Sequence, residues 1–221
     1  MASRKTYTVE EILSQVQPTP VVKNNLSQAE KIEKISDKFI EIMEILGLDL
    51  NNDSLQKTPK RVARMFVKEL FSGLWEENFP KVTVIDNEMN YDQMVVSQRI
   101  DIKSICEHHF QTIDGFATIA YIPKKVVIGL SKINRIARYF ARRPQVQERL
   151  TKQIADCLNY VLGTDNIAVY ISARHDCMVQ RGVEDINSTT VTCDLRGDFK
   201  SKPETRSEFL AHCHTNGFHP Y

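Results

Sequence analysis

The sequence predicts an α+β fold, in which an antiparallel β-sheet has a pair of helices on one face and follows an N-terminal helical module. Three observations predict it. Before residue 80, apolar residues recur at helical spacing, and from Lys81 onward the spacing changes to the period of two that is typical of strands. Two pairs of predicted strands then flank two further amphipathic helices. Such a sheet leaves its second face to be buried by partner subunits.

The chain divides into three predicted segments. Residues 1–26 carry little periodicity and contain Pro18-Thr19-Pro20, which indicates an N-terminal arm. Residues 27–80 form the helical module, and residues 81–221 form the main domain, which ends in a C-terminal helix near 203–212.

The helical module contains two predicted helices. The first begins at a capping box formed by Ser27 and Glu30, and it ends before Gly47. The second begins at Thr58-Pro59, a cap followed by a first-turn proline, and ends near Gly73. The apolar positions at helical spacing are Ile32, Ile35, Phe39, Ile42 and Leu46 in the first helix, and Val62, Met65, Phe66 and Leu70 in the second.

Alternating apolar residues predict the strands of the main domain at 81–85, 93–102, 117–122, 167–173 and 189–195. Asp114-Gly115 predicts a hairpin turn. Ser131 is expected to cap one helix, and Pro144 to open another that ends at Gly163. If the fourth strand stays extended through His175 and Cys177, both of these side chains point to one face.

Composition argues against several classes of function. A formal net charge of +1 gives no reason to expect nucleic acid or an anionic membrane as a partner. No apolar run follows the first five residues, and no stretch approaches a membrane span, so we expect neither a signal peptide nor a membrane helix. Five widely spaced cysteines do not indicate a disulfide framework, and they suit a reducing cytoplasm.

The most informative motif is C-E-H-H at residues 106–109, followed by H-D-C at residues 175–177. Thiolate and imidazole are ligands that Zn²⁺ prefers, and a catalytic zinc has three protein ligands and one open position. Cys106 and His109 are one turn apart and reach one ion together, and Cys177 can complete the set. His108 and His175 then remain to move protons. The alternative is a buried cysteine beside partly exposed histidines, with no metal.

A second motif, G-L-S-K-I-N-R at residues 129–135, indicates an anion site. It puts the Ser131 hydroxyl and the cations Lys132 and Arg135 in the first turn of a helix, where backbone N–H groups and the helix dipole favour phosphate. Arg181 follows Cys177 closely and adds a third cation near the metal motif. The alternative is an ordinary solvated basic surface.

Gln147 and Glu148 lie in the first turn of the next predicted helix. A carboxylate at that position is stabilised by the helix dipole, which is a purely structural explanation. A buried carboxylate could instead accept two N–H donors from the edge of a guanine. Spacing alone favours the structural explanation.

Four long motifs occur together and in order: C-E-H-H-F at 106–110, G-L-S-K-I-N-R at 129–135, R-P-Q-V-Q-E-R-L at 143–150 and H-x-C-x-x-x-R-G at 175–182. The T-P-x-R start of the second helix, at 58–61, and T-R-x-E-F-L at 205–210 extend the match. In this combination the sequence resembles the GTP cyclohydrolase I family from about residue 27 to residue 210.

The resemblance implies a zinc hydrolase that converts GTP and water into 7,8-dihydroneopterin triphosphate and formate, the first step of pterin and tetrahydrofolate biosynthesis. Cys106, His109 and Cys177 would hold Zn²⁺, which would activate the water that adds to C8 of guanine. His108 and His175 would move protons at N7 and at the ribose ring oxygen, since an imidazole with an unperturbed pKa of about 6.5 exchanges protons near neutrality.

The same resemblance implies the substrate contacts and the assembly. The fold would be the tunnelling fold, whose subunits close their sheets into a barrel and form a homodecamer built from pentamers, with active sites between subunits. The residues implied in substrate binding are Glu148 for the guanine edge, Gln147 and Ser131 for the ribose, and Lys132, Arg135, Arg181 and, from a neighbouring subunit, Arg61 for the triphosphate.

Asp176, Arg196 and Asp198 depart from the family pattern, and three other functions remain open. Arg196 and Asp198, around Gly197, replace residues that are commonly small or apolar. Asp176 stands where many members carry a bulky apolar or aromatic residue, and its carboxylate would either raise the pKa of its neighbour His175 or of the zinc water, or face solvent. A zinc nucleobase deaminase is one alternative, although its C-x-x-C spacing is missing from the sequence. The others are a relative that stops at a ring-opened or formyl intermediate, and a nucleotide sensor whose zinc is structural.

Overall fold

The computed structural model describes residues 5–22 and 24–214. Its main element is a five-stranded sheet with the strand order β6-β3-β4-β7-β8, antiparallel except for the short parallel pair of β3 with β6. This arrangement confirms the predicted α+β class with a largely antiparallel sheet. Its strands are β3 (Val95–Cys106), β4 (Thr112–Tyr121), β6 (Pro144–Gln145), β7 (Ile167–His175) and β8 (Thr190–Leu195).

A second, three-stranded sheet joins the N-terminal segment to the main domain. It has the order β1-β2-β5 and consists of β1 (Lys5–Thr6), β2 (Thr83–Asp86) and β5 (Val126–Ile128). The sequence did not predict this sheet, because β1 and β5 are two and three residues long and too short to show a period.

Eight α-helices lie within the described residues, together with a π-helical segment at Met65–Leu70. The prediction of one continuous second helix is correct in extent, but its second half has the wider π hydrogen bonding. The α-helices are α1 (Val9–Ser14), α2 (Gln28–Ile45), α3 (Thr58–Arg64), α4 (Leu130–Ala141), α5 (Gln147–Leu162), α6 (Asp176–Val179), α7 (Asp198–Ser201) and α8 (Pro203–His214).

Both faces of the main sheet are at least partly covered within the chain. Helices α4 and α5 pack on one face, where Ile119 and Val169 belong to the principal core. The neighbouring residues of β4 and β7, Ala120 and Ala168, point to the opposite face of the sheet. There they pack with Phe199 of α7 and Phe209 of α8. The sequence suggested that partner subunits bury the second face of the sheet. Helices α7 and α8 of the same chain already cover part of that face.

The N-terminal segment is more ordered than its sequence predicts. Helix α1 begins at a capping box in which Thr8 accepts from the Glu11 N–H and the Glu11 carboxylate accepts from the Thr8 N–H. Ile12 and Val16 are buried in the principal core. A helix of six residues shows too few apolar repeats for its period to be seen in the sequence.

The predicted hairpin turn at Asp114-Gly115 is wrong, because both residues lie inside β4. Gly115 pairs with Ala173, and a Cβ atom added at residue 115 would lie 2.1 Å from the carbonyl oxygen of Ser172. The glycine thus permits close approach of β4 and β7 rather than a turn. The chain reverses earlier, between the end of β3 and the start of β4.

Three predicted element boundaries also differ from the structure. Helix α4 begins at Leu130, its N-cap is Gly129, and Ser131 makes no capping hydrogen bond. Pro144 does not open a helix but belongs to strand β6, which pairs with the end of β3. Strand β7 ends at His175, so Cys177 lies in the short helix α6 instead of on an extended strand.

The predicted start and stop of α2 are confirmed. Ser27 accepts from the Glu30 N–H, and the Glu30 carboxylate accepts from the Ser27 N–H, which completes the capping box. Gly47 has a φ of 73°, the left-handed conformation that follows many helix ends. None of the helices in the described ranges combines the length and apolar character needed to span a membrane.

Candidate active site and metal centre

A tight connection between β3 and β4, which we call the metal loop (residues 106–111), carries the C-E-H-H motif. Cys106 is the last residue of β3, and its N–H donates to the Gln111 carbonyl at 2.8 Å. The Phe110 N–H donates back to the Cys106 carbonyl at 2.9 Å, and Phe110 has a φ of 52°. These hydrogen bonds fold the loop so that Cys106 and His109 lie on the same side, which the spacing predicts.

The three predicted metal ligands converge. One ligand atom each from Cys106, His109 and Cys177 lies within 4.8 Å of the other two. The two sulfur atoms are 3.9 Å apart. Two thiolates bound to one tetrahedral Zn²⁺ at about 2.3 Å would lie roughly 3.8 Å apart, so this pair already has the required separation.

The electrostatics of the cluster favour a bound cation. Burial, and then the neighbouring Cys106 sulfur, raise the pKa of the Cys177 thiol. Two adjacent thiolates repel each other unless a positive charge lies between them. The Arg181 guanidinium donates to Nε2 of His109 at 3.2 Å, which confirms that this arginine lies beside the metal motif.

The two predicted proton-transfer residues differ in their surroundings. His108 is exposed, and its Nδ1 lies 3.7 Å from the Cys106 sulfur. His175 is half-buried, and its Nε2 lies 2.7 Å from Oε1 of Gln147. Burial lowers the pKa of His175, whereas the nearby Glu148 carboxylate acts in the opposite direction. Glu148 therefore acts electrostatically on His175.

The structure adds an ion pair that the sequence analysis missed. Arg149 donates two hydrogen bonds to the Glu107 carboxylate, at 2.6 and 3.0 Å, and these bonds hold the pKa of Glu107 below its usual value. The Glu107 N–H also donates to the Gln145 carbonyl. The metal loop is thus tied to α5 and β6. Both residues stood inside recognised motifs, but their separation of 42 positions gave no signal that they pair.

The remaining predicted substrate residues lie on three helices. Ser131, Lys132 and Arg135 occupy the first turns of α4, with Ser131 and Arg135 exposed, and Arg61 is exposed on α3. Gln147 differs from all of these, because its side chain is only 1% exposed. The exposed side chains of Ser131, Arg135 and Arg61 can therefore reach a ligand directly, whereas the side chain of Gln147 has little access to one.

Asp176 faces another side chain rather than solvent. Its carboxylate lies 3.3 Å from the Arg174 guanidinium, and its side chain is 13% exposed. The expected effect on the pKa of His175 is not among the causes of that shift, which are burial and Glu148. Arg174 thus offsets the charge of this carboxylate, although the same Oδ1 accepts no hydrogen bond within the described residues.

An apolar cavity of about 660 Å³ lies behind the metal loop. Phe110 lines it together with aromatic residues of the neighbouring helical segments, and its ring contacts those of Phe66 and Phe71 edge-on. Lys31, Lys34 and Lys38 of α2 also line it. None of the proposed metal ligands lines this cavity. Among the described residues that line it, Phe110 is the one that belongs to the metal loop.

Comparison with known proteins agrees with this geometry. The family model described as GTP cyclohydrolase I matches residues 35–214. The chain is 56% identical to the GTP cyclohydrolase 1 of Aeromonas hydrophila over 193 residues, covering 87% of this chain and 88% of that protein. It is 52% identical to the GTP cyclohydrolase 1 of Yersinia enterocolitica over 208 residues, covering 94% of each. The chain belongs to the GTP cyclohydrolase I family.

Proposed function

We propose that this protein is a zinc-dependent hydrolase that converts GTP and water into 7,8-dihydroneopterin triphosphate and formate, the first step of pterin and tetrahydrofolate biosynthesis. The observation that carries the proposal is the convergence of Cys106, His109 and Cys177 within 4.8 Å in a chain of this family. The names of its relatives state a GTP cyclohydrolase, which fits a site with both metal ligands and phosphate-binding cations.

The donor set supports zinc as the cofactor. Two sulfur atoms and one imidazole nitrogen are ligands that suit Zn²⁺, and they leave one of four tetrahedral positions open. Zn²⁺ would supply Lewis acidity, which lowers the pKa of water and prepares it to add to C8 of guanine. The ion pair of Glu107 with Arg149 would hold the metal loop in position while the ligands bind.

The other residues bind the substrate and move protons in this proposal. His108 and His175 exchange protons at N7 and at the ribose ring oxygen. Glu148 accepts hydrogen bonds from the guanine edge, and its proximity to His175 is consistent with one shared site. The predicted phosphate and ribose contacts are Lys132, Arg135 and Arg181, Ser131 with Gln147, and Arg61 of a neighbouring subunit.

The proposal includes the assembly and the location of the enzyme. We place the chain in the tunnelling fold, as a homodecamer built from pentamers, with the active sites between subunits. Exposed apolar residues at the C-terminal end of α2 and directly after it, among them Ile45 and Leu46, support an interface between copies. A cytoplasmic location suits five cysteines without a disulfide pattern, since thiolates stay reduced there.

The test is to incubate the zinc-replete full chain with GTP and to measure formate together with the oxidised, fluorescent pterin. Equal amounts of the two products are expected. Cys177→Ala should abolish both products, whereas Cys193→Ala, which changes an exposed cysteine on β8, should leave both unchanged.

The alternative functions give different outcomes in the same assay. Formate without a pterin would indicate a relative that stops at a ring-opened intermediate. Release of ammonia from a nucleobase would indicate a deaminase. Bound GTP that yields no product would indicate a nucleotide sensor with a structural zinc, and zinc held by four protein ligands would agree with it.

A further inference from the structure

The side chain of Gln147, near the candidate active site, is hydrogen-bonded at both its oxygen and its nitrogen. It lies at the first position of α5 and is 1% exposed. Its Nε2 atom lies 3.1 Å from the Ile171 carbonyl and 3.0 Å from the Thr190 carbonyl, which join it to β7 and β8. Its Oε1 atom lies 2.7 Å from Nε2 of His175. The side chain therefore links α5, both strands and the histidine.

The donors and acceptors around this amide fix its orientation. Thr151 donates its hydroxyl hydrogen to the backbone carbonyl of Gln147 at 2.8 Å. The hydroxyl of Thr192, 2.7 Å from that of Thr151, must then be the donor between the two. The hydroxyl oxygen of Thr192 therefore accepts a hydrogen bond from Nε2 of Gln147, at 3.1 Å. All three atoms around Nε2 are acceptors, so only the NH₂ group of the amide can occupy that position.

The orientation of the amide in turn fixes the tautomer of His175. Oε1 of Gln147 can only accept a hydrogen bond, so Nε2 of the neutral His175 ring must carry the hydrogen. The other ring nitrogen, Nδ1, then carries the lone pair. A ring held in this way has one defined orientation and one defined basic atom, which is what a proton-transferring histidine requires.

We propose that Gln147 is a positioning residue, which acts through His175 and does not bind the ribose itself. The inference rests on the proposed function, in which His175 transfers protons during turnover. An amide that is 1% exposed and already bonded at both ends has little capacity for a further bond to substrate. The nearby carboxylate of Glu148 is exposed and remains available for substrate.

The two roles predict different kinetics. Gln147→Met removes the hydrogen bond to His175 while it keeps a side chain of similar length. We expect kcat to fall by about 10- to 100-fold, because a positioned acid–base group contributes about 10²- to 10⁴-fold to the rate and only part of that is lost. KM for GTP should change by less than about twofold. In a His175→Ala background the same substitution should change kcat by less than about twofold, because its effect operates through the missing ring.

A matched control separates positioning from loss of a buried amide. Gln153 lies on the same helix and is also fully buried, and its Nε2 donates to Gln17 and Thr19 in the N-terminal segment. Gln153→Met should lower the thermal midpoint as much as Gln147→Met does, but it should leave kcat within about twofold of the wild type. Both variants should retain the zinc content of the wild-type protein.

A second variant keeps the test decisive if Gln147→Met does not fold. Thr192→Val removes one of the three acceptors that orient the amide and places a β-branched residue on a strand, where it is well tolerated. It should lower kcat by about 2- to 10-fold with KM unchanged, as expected for loss of an outer hydrogen bond to a functional group.

Each outcome decides between the roles. A raised KM with an unchanged kcat for Gln147→Met would overturn the inference and restore a ribose contact. Additive losses in the His175→Ala background would also overturn it. A wild-type protein that forms neither formate nor pterin would instead refute the proposed function. The comparison of kcat and KM among active variants tests the role of Gln147 alone.

Discussion

Helices α5 and α2 are similar in length, yet this chain buries one of them and leaves the other largely exposed. Ten of the 16 residues of α5 are buried, whereas Met43 alone is buried among the 18 residues of α2. Ile42 and Ile45 of α2 are 46% and 85% exposed. The two helices therefore differ in how far the chain itself covers them.

In the proposed assembly, α5 belongs to the site that one chain builds, and α2 is a candidate surface for contact with another copy. Helix α5 supplies Gln147 and Arg149, whose side chains are positioned by hydrogen bonds within the chain. Helix α2 and the segment that follows carry an apolar surface without a matching cover, and exposed apolar surfaces of this kind mark interaction sites. Substitutions near α5 should thus change the chemistry or the stability of the chain, and substitutions on α2 should change its association.

The largest effect is expected at the proposed metal ligands, which lie on the metal loop and on α6. Cys177→Ala removes one of three ligands, so zinc content measured by plasma emission should fall to background. Formate production should drop by at least about 10³-fold, because Lewis acidity contributes several kcal/mol to the transition state. The thermal midpoint of the protein should fall only to that of the metal-free wild type.

The comparison would be weakened if Cys177→Ala retained one zinc per chain and full activity. That result would show that the cluster is not the metal site. The exposed thiol variant Cys193→Ala provides the baseline, since any change it causes reflects loss of a cysteine in general.

The second prediction compares the two helices directly. Leu158→Ala on α5 removes a fully buried side chain and should lower the free energy of unfolding by about 2–5 kcal/mol. Ile45→Ala on α2 should lower the free energy of unfolding of the isolated chain by no more than about 0.5 kcal/mol, as for other surface substitutions. Denaturant unfolding at low protein concentration, where association is weakest, measures both values.

Ile45→Glu sharpens the same comparison through association. A charge in a buried interface is costly, so light scattering should show a smaller assembly than the wild type at the same concentration. Lys38, also on α2 but paired with Glu41, offers a control in Lys38→Gln. An unchanged assembly for Ile45→Glu would mean that this face of α2 is not an interface between copies.

The sequence predicted local features well and the contacts between distant segments poorly. The capping box of α2, the end of α5 at Gly163 and the ligand trio each depend on short spacing or on a long motif. The sheet β1-β2-β5 and the pair of Glu107 with Arg149 depend on segments that the fold brings together. Gly115 was misassigned for the same reason, because only the neighbouring strand shows why it must lack a side chain.

The third prediction tests the contact between α5 and the metal loop. Arg149→Met leaves the partly buried Glu107 carboxylate without its cation, and we expect zinc affinity to fall by about 10- to 100-fold, as for other outer partners of metal sites. Competition with a chelator measures the affinity. Arg196→Met is the matched control, since Arg196 pairs with Asp194 and Asp156 away from the metal. Equal zinc affinities in the two variants would contradict a role for Arg149 at the loop.

The smallest effect is expected at the exposed start of α2. Hydrogen bonds from the Ser27 hydroxyl and then the Ser27 N–H lower the pKa of Glu30 from its ordinary value of 4.5. A carboxyl with a lowered pKa stabilises the folded state above 4.5 and loses that effect as the pH falls through its own lower pKa. Glu30→Gln keeps the geometry of a capping box but does not titrate.

The measurement is amide hydrogen exchange at Ser27 in the wild type and in Glu30→Gln at matched pH, because the ratio of the two rates cancels the intrinsic dependence on pH. Near neutral pH the wild type should exchange more slowly than the variant, and the ratio should approach one as the pH falls below 4.5. A ratio that stays constant would show that Glu30 contributes no charge-dependent stabilisation. Because α2 has so few buried residues, fraying at this cap should stay local and leave zinc content and turnover unchanged.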